Sequence, residues 1–327
     1  PKKLDVYPRE TPVQSLLWLS DMSRRRIVTA GKVTGNDRRT TRRVHLFTPD
    51  EEGMMEEIFW YCLALAASEN NIAVYAATLM SSHPHYDVED RDGRLPLFKR
   101  DFHRWLSLST KAFRDWPEEV FNKSAPGEHE VLTPEALVHD LAYLIANPVS
   151  AGAVRSAARW PGAKTLPQDI GVRVIRARRP PFWFKADNDR WPDEVELVLE
   201  MPRMLLDEYG SLEAAQRAIA DEVEVLEKEA RRKLCAKGQP FEGRRRVLRR
   251  KHTDMSKSPE QRGRLNPQHA AGGNRTAAAN AIAARREFNR AYDEALSRWT
   301  SGDRDVVFPH GTWWMRVHHG VRCGPPT

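Results

Sequence analysis

The stretch NIAVYAATLMSSHPHYDVED (71–90) carries two strand patterns back to back. NIAVYAATLM is apolar at odd and even positions alike, as a strand is when both faces are covered, so it is expected at the centre of a sheet. HPHYDV follows after only Ser81 and Ser82, which predicts the next strand of an antiparallel pair. Side chains alternate along a strand, so His83 and His85 share one face, about 6.5–7 Å apart along the chain. Two imidazoles so placed can share a metal ion if a third ligand comes from elsewhere. The same spacing also describes two half-exposed histidines with no ligand. Pro84 has no amide proton to give a ladder, which predicts an edge or a local break.

Upstream, RRIVTAGKVTGNDRRTTRRVHLFTPDEE (25–52) reads as a hairpin, with TGND as its turn and Ile27, Val28, Val44, Leu46 and Phe47 as strand residues. A helix follows. Thr48 or Asp50 caps it, its first turn is acidic, and Met55, Ile58, Phe59, Cys62 and Leu63 recur at helical spacing. Downstream, residues 95–116 are helical by period. Residues 132–152 form a clearer helix, with Thr133 as N-cap, Pro134 at the first position and a stripe of Leu137, Leu141 and Leu144. Asn147-Pro148 is expected to end it. This order of elements predicts an α+β domain, an antiparallel sheet flanked by helices, over residues 1–164.

Beyond residue 164 the character changes to a basic, mostly helical extension, 165–327. VELVLEMP (195–202) is strand-like, and 211–234 is a helix capped by Ser211, with Glu227 and Arg231 one turn apart. Residues 231–252 hold ten Lys or Arg against one acid. Residues 253–274 read as a polar linker. A second helix places Phe288, Tyr292, Leu296 and Trp299 on one face, and 308–323 reads as a closing strand with Trp313 and Trp314 packed. His310, His318, His319 and Cys323 lack the repeated spacing of a zinc site.

The net charge of +7 favours a polyanionic partner, with nucleic acid the usual one. Three dispersed cysteines fit a reducing cytoplasm better than a disulfide framework. No apolar run is long enough for a bilayer, so no membrane partner is expected. The chain opens on Pro1 with no signal-peptide pattern, which leaves any upstream segment open.

Tyr143 and Asn147 stand four apart on the helix that follows the histidines, so they share one face. A phenol, an amide and two imidazoles are the parts of a strand-nicking apparatus: the phenol oxygen attacks phosphorus, and imidazoles and amide hold a cation that polarises the phosphate. A phenol with a pKa near 10 is a poor nucleophile at neutral pH without such help. The plainer alternatives are a core aromatic for Tyr143 and a helix-ending amide for Asn147.

These residues carry a family resemblance. AATLMSSHPHYDVE resembles the MpNHxHLll segment of the HUH-class single-stranded-DNA tyrosine transposases. LAYLIANPVSAGAVRSAARWPG resembles their YixxNPvrAglv…ypwss segment, and the closer likeness is to the REP-associated tyrosine transposases. The resemblance covers roughly residues 20–165. The departures are Ser82 for the family's Asn, Pro84 between the histidines, and Tyr86 and Asp87 in place of apolar residues. The resemblance implies a ferredoxin-like or RRM-like α+β fold. It implies cleavage and rejoining of single-stranded or hairpin DNA through a 5′-phosphotyrosine, with Mg²⁺ or Mn²⁺. It makes Tyr143 the nucleophile and His83, His85 and Asn147 the metal ligands, and it is compatible with a homodimer. Apart from the resemblance, the charge of the basic run makes Arg244, Arg245, Arg246, Arg249, Arg250 and Lys251 the expected phosphate contacts, with a solvated helix end and linker as the alternative reading. Asp87 shares the histidines' face, His139 precedes Tyr143 by one turn, and Tyr86 is the reserve nucleophile. Two alternatives remain open: a domesticated hairpin-DNA binder that no longer cuts, and a phosphodiesterase without covalent catalysis.

Overall fold

The computed structural model describes residues 25–256 and 268–326. In chain order the elements are β1 (Lys32–Asp37), α1 (Met54–Asn70), β2 (Ile72–Met80), β3 (His83–Asp90), α2 (Leu95–Arg114), β4 (Gly127–Val131) and α3 (Pro134–Ser150). Then come β5 (Val174–Arg178), β6 (Glu194–Val198), α4 (Arg203–Tyr209), α5 (Leu212–Ala236), α6 (Arg244–Leu248), β7 (His269–Ala270) and α7 (Arg275–Thr300). The last are β8 (Val307–Phe308), α8 (Trp314–His319) and β9 (Arg322–Cys323). The chain divides into two compact units, residues 30–279 and residues 1–29 with 280–327. The expected boundary at 164/165 falls inside the larger unit.

That unit is built on a mostly antiparallel sheet with strand order β2-β3-β1-β4-β7, in which only the short β4–β7 pairing is parallel. β3 lies between β2 and β1, pairing Thr78 with His85 on one side and Asp37 with His85 on the other. Pro84 is therefore not at an edge; it stands at the start of an interior strand. β2 ends the sheet instead of occupying its centre. It is buried on every residue because other segments cover its free edge: Leu79 donates to the Ala163 carbonyl, Ala77 bonds the Thr165 hydroxyl, and Val74 bridges Leu199. KVTGND, expected to hold the turn, is β1 itself. Leu46 and Phe47 are core residues outside any strand.

Alternation sends the two faces of the sheet to different partners. Tyr86 and Val88 of β3 enter an aromatic core under α1 and α2, with Phe59, Phe98 and Phe102. Val33, Ala73, Tyr75 and Val131 face α3, which contributes Leu137, Leu141 and Leu144; behind it α5 adds Ala215 and Ile219. A bulge in β2 between Val74 and Ala76 lets Tyr75 and Ala76 both face α3. Residues beyond 164 join both layers. Ile175, Ala177 and Leu197 of the β5–β6 hairpin pack under α1, and Val247 of α6 meets Met80, Val149 and Trp160.

α3 starts as its sequence predicts, with the Thr133 hydroxyl accepting from the Ala136 amide at 3.2 Å. It does not stop at Asn147-Pro148. Pro148 lies inside the last turn, and the helix runs on to Ser150. Ser211 caps α5 in the same way, and Glu227 meets Arg231 at 2.8 Å. Within the expected linker, residues 269–270 form β7 and residues 257–267 lie outside the described set.

In the other unit, Phe288 and Tyr292 of α7 pack with Phe308, Met315 and Val321. The expected closing strand is mainly the short helix α8, with Trp314 exposed and its ring against His318. The reason is local: Trp314–His319 closes helical hydrogen bonds and ends on Gly320 at φ 64°.

Leu141 is fully buried between sheet and α5. Leu141→Ala should lower unfolding stability by about 2–5 kcal/mol, read as a lower denaturant midpoint with an unchanged m-value.

Candidate functional site

His83, His85 and Asp87 alternate with Tyr86 and Val88 along β3, so they lie on the α3 side of the sheet, away from the aromatic core. The two imidazole centroids lie 4.6 Å apart. The Tyr143 ring stands edge-on to His85, 6.1 Å between centroids and 85° between planes. The Asn147 side-chain amide is 3.2 Å from His85 Nε2. Residues that the sequence separates by about sixty positions thus meet at one place, because α3 crosses the sheet directly over β3. Tyr143 is half exposed, while Asn147 is buried. Tyr143, His83 and His85, together with Asn36, Asp37, Arg39, Asp87, His129, Asp140 and Leu144, line a cavity of about 150 Å³, and Asn147 touches it through its contact with His85. That is the space of roughly five waters at ~30 Å³ each, enough for one phosphodiester group.

Two glycines keep this face open. A Cβ on Gly35 of β1 would lie 2.5 Å from His129 Cε1, and one on Gly127 of β4 would lie 2.0 Å from Asp37 Oδ1. The His129 imidazole fills the space above Gly35 and hydrogen-bonds Asp140, one turn before Tyr143. Burial opposes a charged His129. The hydrogen bond to Asp140, with the charges of Asp140, Asp87 and Asp37, outweighs it and raises the His129 pKa. Asp87 is buried, and its Oδ2 has no hydrogen-bond partner among the described residues. Burial first, then Asp140, pushes its pKa well above the carboxylate range, against a lowering by His129.

Burial holds both histidines of the pair neutral. It lowers His83 well below its ordinary value, assisted by His85 and Arg39. It lowers His85 to about 4, against the opposing charge of Asp37. Desolvation and then Asp37 raise the Tyr143 phenol above 10, against a lowering by Arg39. Metal binding needs neutral imidazoles. Two of these on one face, with an amide beside them, fit a divalent cation that keeps open positions. Among the described residues, no three His, Cys, Asp or Glu side chains are grouped to hold a metal. The Asn147 amide, 3.2 Å from His85 Nε2, is a further donor beside the pair.

The other nominated residues fall apart by position. Arg244, Arg245, Arg246, Arg249 and Lys251 are exposed on and after α6. Arg250 is not: its guanidinium is held by Glu242, 2.9 Å from Nε, and by the Ser81 hydroxyl at 3.0 Å. That bond ties the basic segment to the residue two before His83. His139 is an exposed partner of Glu222 at 2.8 Å. Tyr86 points into the opposite face, fully buried, with its hydroxyl 3.0 Å from His103, which removes it as a nucleophile. Asp37, Arg39, His129 and Asp140 escaped the sequence reading. Only Asp140 left a signal, its three-residue spacing from Tyr143.

No protein-family model matches the chain, and no curated protein matches it. Among solved structures, one described as the structure of the REP associates tyrosine transposase bound to a REP hairpin is similar at 17% identity. The match covers 45% of this chain and 84% of that one, with a TM-score of 0.38. A likeness at that score is distant and leaves function to the chemistry of the pocket. Among the described residues no helix is long and apolar enough to cross a membrane.

Neutral, buried histidines make stability fall with acid. The unfolded chain binds protons below its ordinary imidazole pKa near 6.5, whereas folded His85 does so only near 4. Stability should be full above pH 6.5 and decline as pH drops toward 4. Ring NMR should show His83 and His85 unprotonated at pH 6; a pH 6 spectrum with both rings charged would refute this electrostatic account.

Proposed function

We propose that this protein cleaves and rejoins single-stranded DNA beside a hairpin, with Tyr143 as nucleophile. The observation that carries the reading is that the Tyr143 ring and the Asn147 amide both meet His85, with Tyr143 and His85 lining one open cavity, at the positions nominated by the family resemblance. The fold in this reading is of the HUH type, with an antiparallel sheet carrying the histidines and α3 carrying the tyrosine.

The reaction is a transesterification. Tyr143 Oη bonds to phosphorus and the P–O3′ bond breaks, leaving a 5′-phosphotyrosine and a free 3′-hydroxyl; attack by a 3′-hydroxyl on the phosphotyrosine reverses it. One phosphoester replaces another, so no external energy source is needed. His83, His85 and Asn147 would hold Mg²⁺ or Mn²⁺, which supplies Lewis-acid polarisation of a phosphoryl oxygen. The half-exposed phenol lets a strand reach it from solvent. The edge contact with His85 supports the ring, Oη has no hydrogen-bond partner among the described residues, and the charges of Asp37 and Asp140 act on the phenol. The exposed arginines of α6 supply sequence-independent phosphate contacts close to the histidine strand.

The test is a denaturing gel of protein incubated with hairpin oligonucleotides and Mn²⁺. The wild type should yield a covalent protein–DNA adduct that a chelator prevents. Tyr143→Phe should bind DNA within about twofold of wild type and yield none; His83→Ala should also yield none. Adduct from the phenylalanine variant would sink the assignment of Tyr143. Tight hairpin binding without adduct in any divalent metal would instead establish a non-cutting binder. Arg244, Arg245 and Arg246 changed together to Ala should weaken binding for all sequences and lower the slope of log K against log[salt] by roughly 0.7–0.9 per lost contact.

A further inference from the structure

We infer that Arg39 is the residue that grips the phosphodiester presented to Tyr143; this rests on the strand-transfer reading above and adds a phosphate-binding residue to it. The backbone places Arg39. Beyond the end of β1, the Arg38 amide donates to Pro84 O at 3.4 Å and the Thr40 amide to Ser82 O at 2.8 Å. These flanking bonds set Arg39 abreast of His83, two residues after Asp37, which pairs with His85. Alternation then puts its side chain on the face of the imidazoles. On its other side, the Asn122 amide donates to Arg39 O at 3.0 Å, so the backbone is held from both flanks.

Its neighbours are directed elsewhere. The Arg38 guanidinium lies over the Phe121 ring, 4.6 Å from its centroid, and meets His103 at 3.1 Å. Arg42 pairs with Glu118 at 2.6 Å. Arg43 Nη2 reaches Ser256 at 2.8 Å. Arg39 is exposed, lines the cavity with His83, His85 and Tyr143, and has no side-chain hydrogen bond or ion pair among the described residues. Its charge acts on all three of those groups, lowering the pKa of each.

Charge decides which group of the cavity an anion takes. Asp37 and Asp140 repel a phosphate, and Arg39 is the one Arg or Lys side chain among the residues that line the cavity. It stands abreast of His83, next to the two imidazoles. A guanidinium offers a planar fork of donors that matches two phosphate oxygens, and it stays charged at any working pH. As Tyr143 Oη bonds to phosphorus, negative charge grows on the non-bridging oxygens, which a guanidinium lining the same cavity stabilises.

The test uses a labelled hairpin oligonucleotide with a single-stranded 5′ flank, so that the hairpin fixes the register. Each flank phosphate in turn is replaced by an uncharged methylphosphonate, and binding is read by fluorescence anisotropy for wild type, Arg39→Gln and Arg39→Lys. In wild type one position should cost about 10- to 100-fold in affinity, the range of a charge-assisted hydrogen bond. Arg39→Gln should lose a similar factor on the unmodified strand and be indifferent to the methylphosphonate at that position. Arg39→Lys should recover part of the loss. A glutamine variant that binds like wild type, or keeps the full sensitivity at that position, overturns the assignment. The adduct gel separates the two claims. Absent adduct with Arg39-dependent binding defeats only Tyr143 catalysis. Normal adduct from Arg39→Gln defeats only the phosphate grip. Absence of DNA binding by the wild type defeats both.

Discussion

The register of β3 between β2 and β1 is the constraint on which the rest depends. Both faces of β3 are covered, so each residue must suit its partner layer. Tyr86 and Val88 fill the aromatic core beneath α1 and α2, while His83, His85 and Asp87 face the α3 side. A slip of one residue would push imidazoles and a carboxylate among Phe98 and Phe102 and lift Tyr86 out to the cavity. The price would be buried polar groups without partners, each costing about 1–3 kcal/mol. The Tyr86 hydroxyl strengthens the choice by bonding His103, which the Arg38 guanidinium holds from the other side. The core thus fixes the direction of the functional face.

The second constraint is how α3 lies on that face. Leu137, Leu141 and Leu144 bury its stripe against the sheet and α5. The adjoining stripe of Asp140, Tyr143 and Asn147 then falls over β3 and β1. Here the fold accepts local cost. Asp87 is buried with an oxygen lacking a partner, His83 and His85 are held neutral by desolvation, and β1 and β4 carry glycines where a side chain would collide. The lining of the cavity combines three carboxylates, Asp37, Asp87 and Asp140, with the single arginine Arg39.

The segments beyond residue 164 are part of this architecture. The β5–β6 hairpin and α5 complete the two hydrophobic layers, and Arg250, bonded to Glu242 and Ser81, fastens the basic α6 segment beside the histidine strand. A basic run whose position the sequence leaves open is anchored by one of its own arginines, which leaves Arg244, Arg245, Arg246, Arg249 and Lys251 facing solvent.

What the sequence by itself determined was local. The Thr133 and Ser211 caps, the leucine stripe of α3, the i,i+2 histidines and the i,i+4 pair of Tyr143 and Asn147 all follow from spacing within one turn or one pleat. Tertiary structure decided whatever depends on a distant partner. KVTGND contains turn-forming residues but becomes β1, because β3 and β4 pair with it on either side. β2 looks central yet ends the sheet, its edge closed by Ala163, Thr165 and Leu199. Pro148 stays within α3, since a proline in the last turn forfeits a single helical hydrogen bond and the packed stripe outweighs it. Asp37, Arg39, His129 and Asp140 come from three separate elements, and only sheet pairing and helix packing bring them to one cavity.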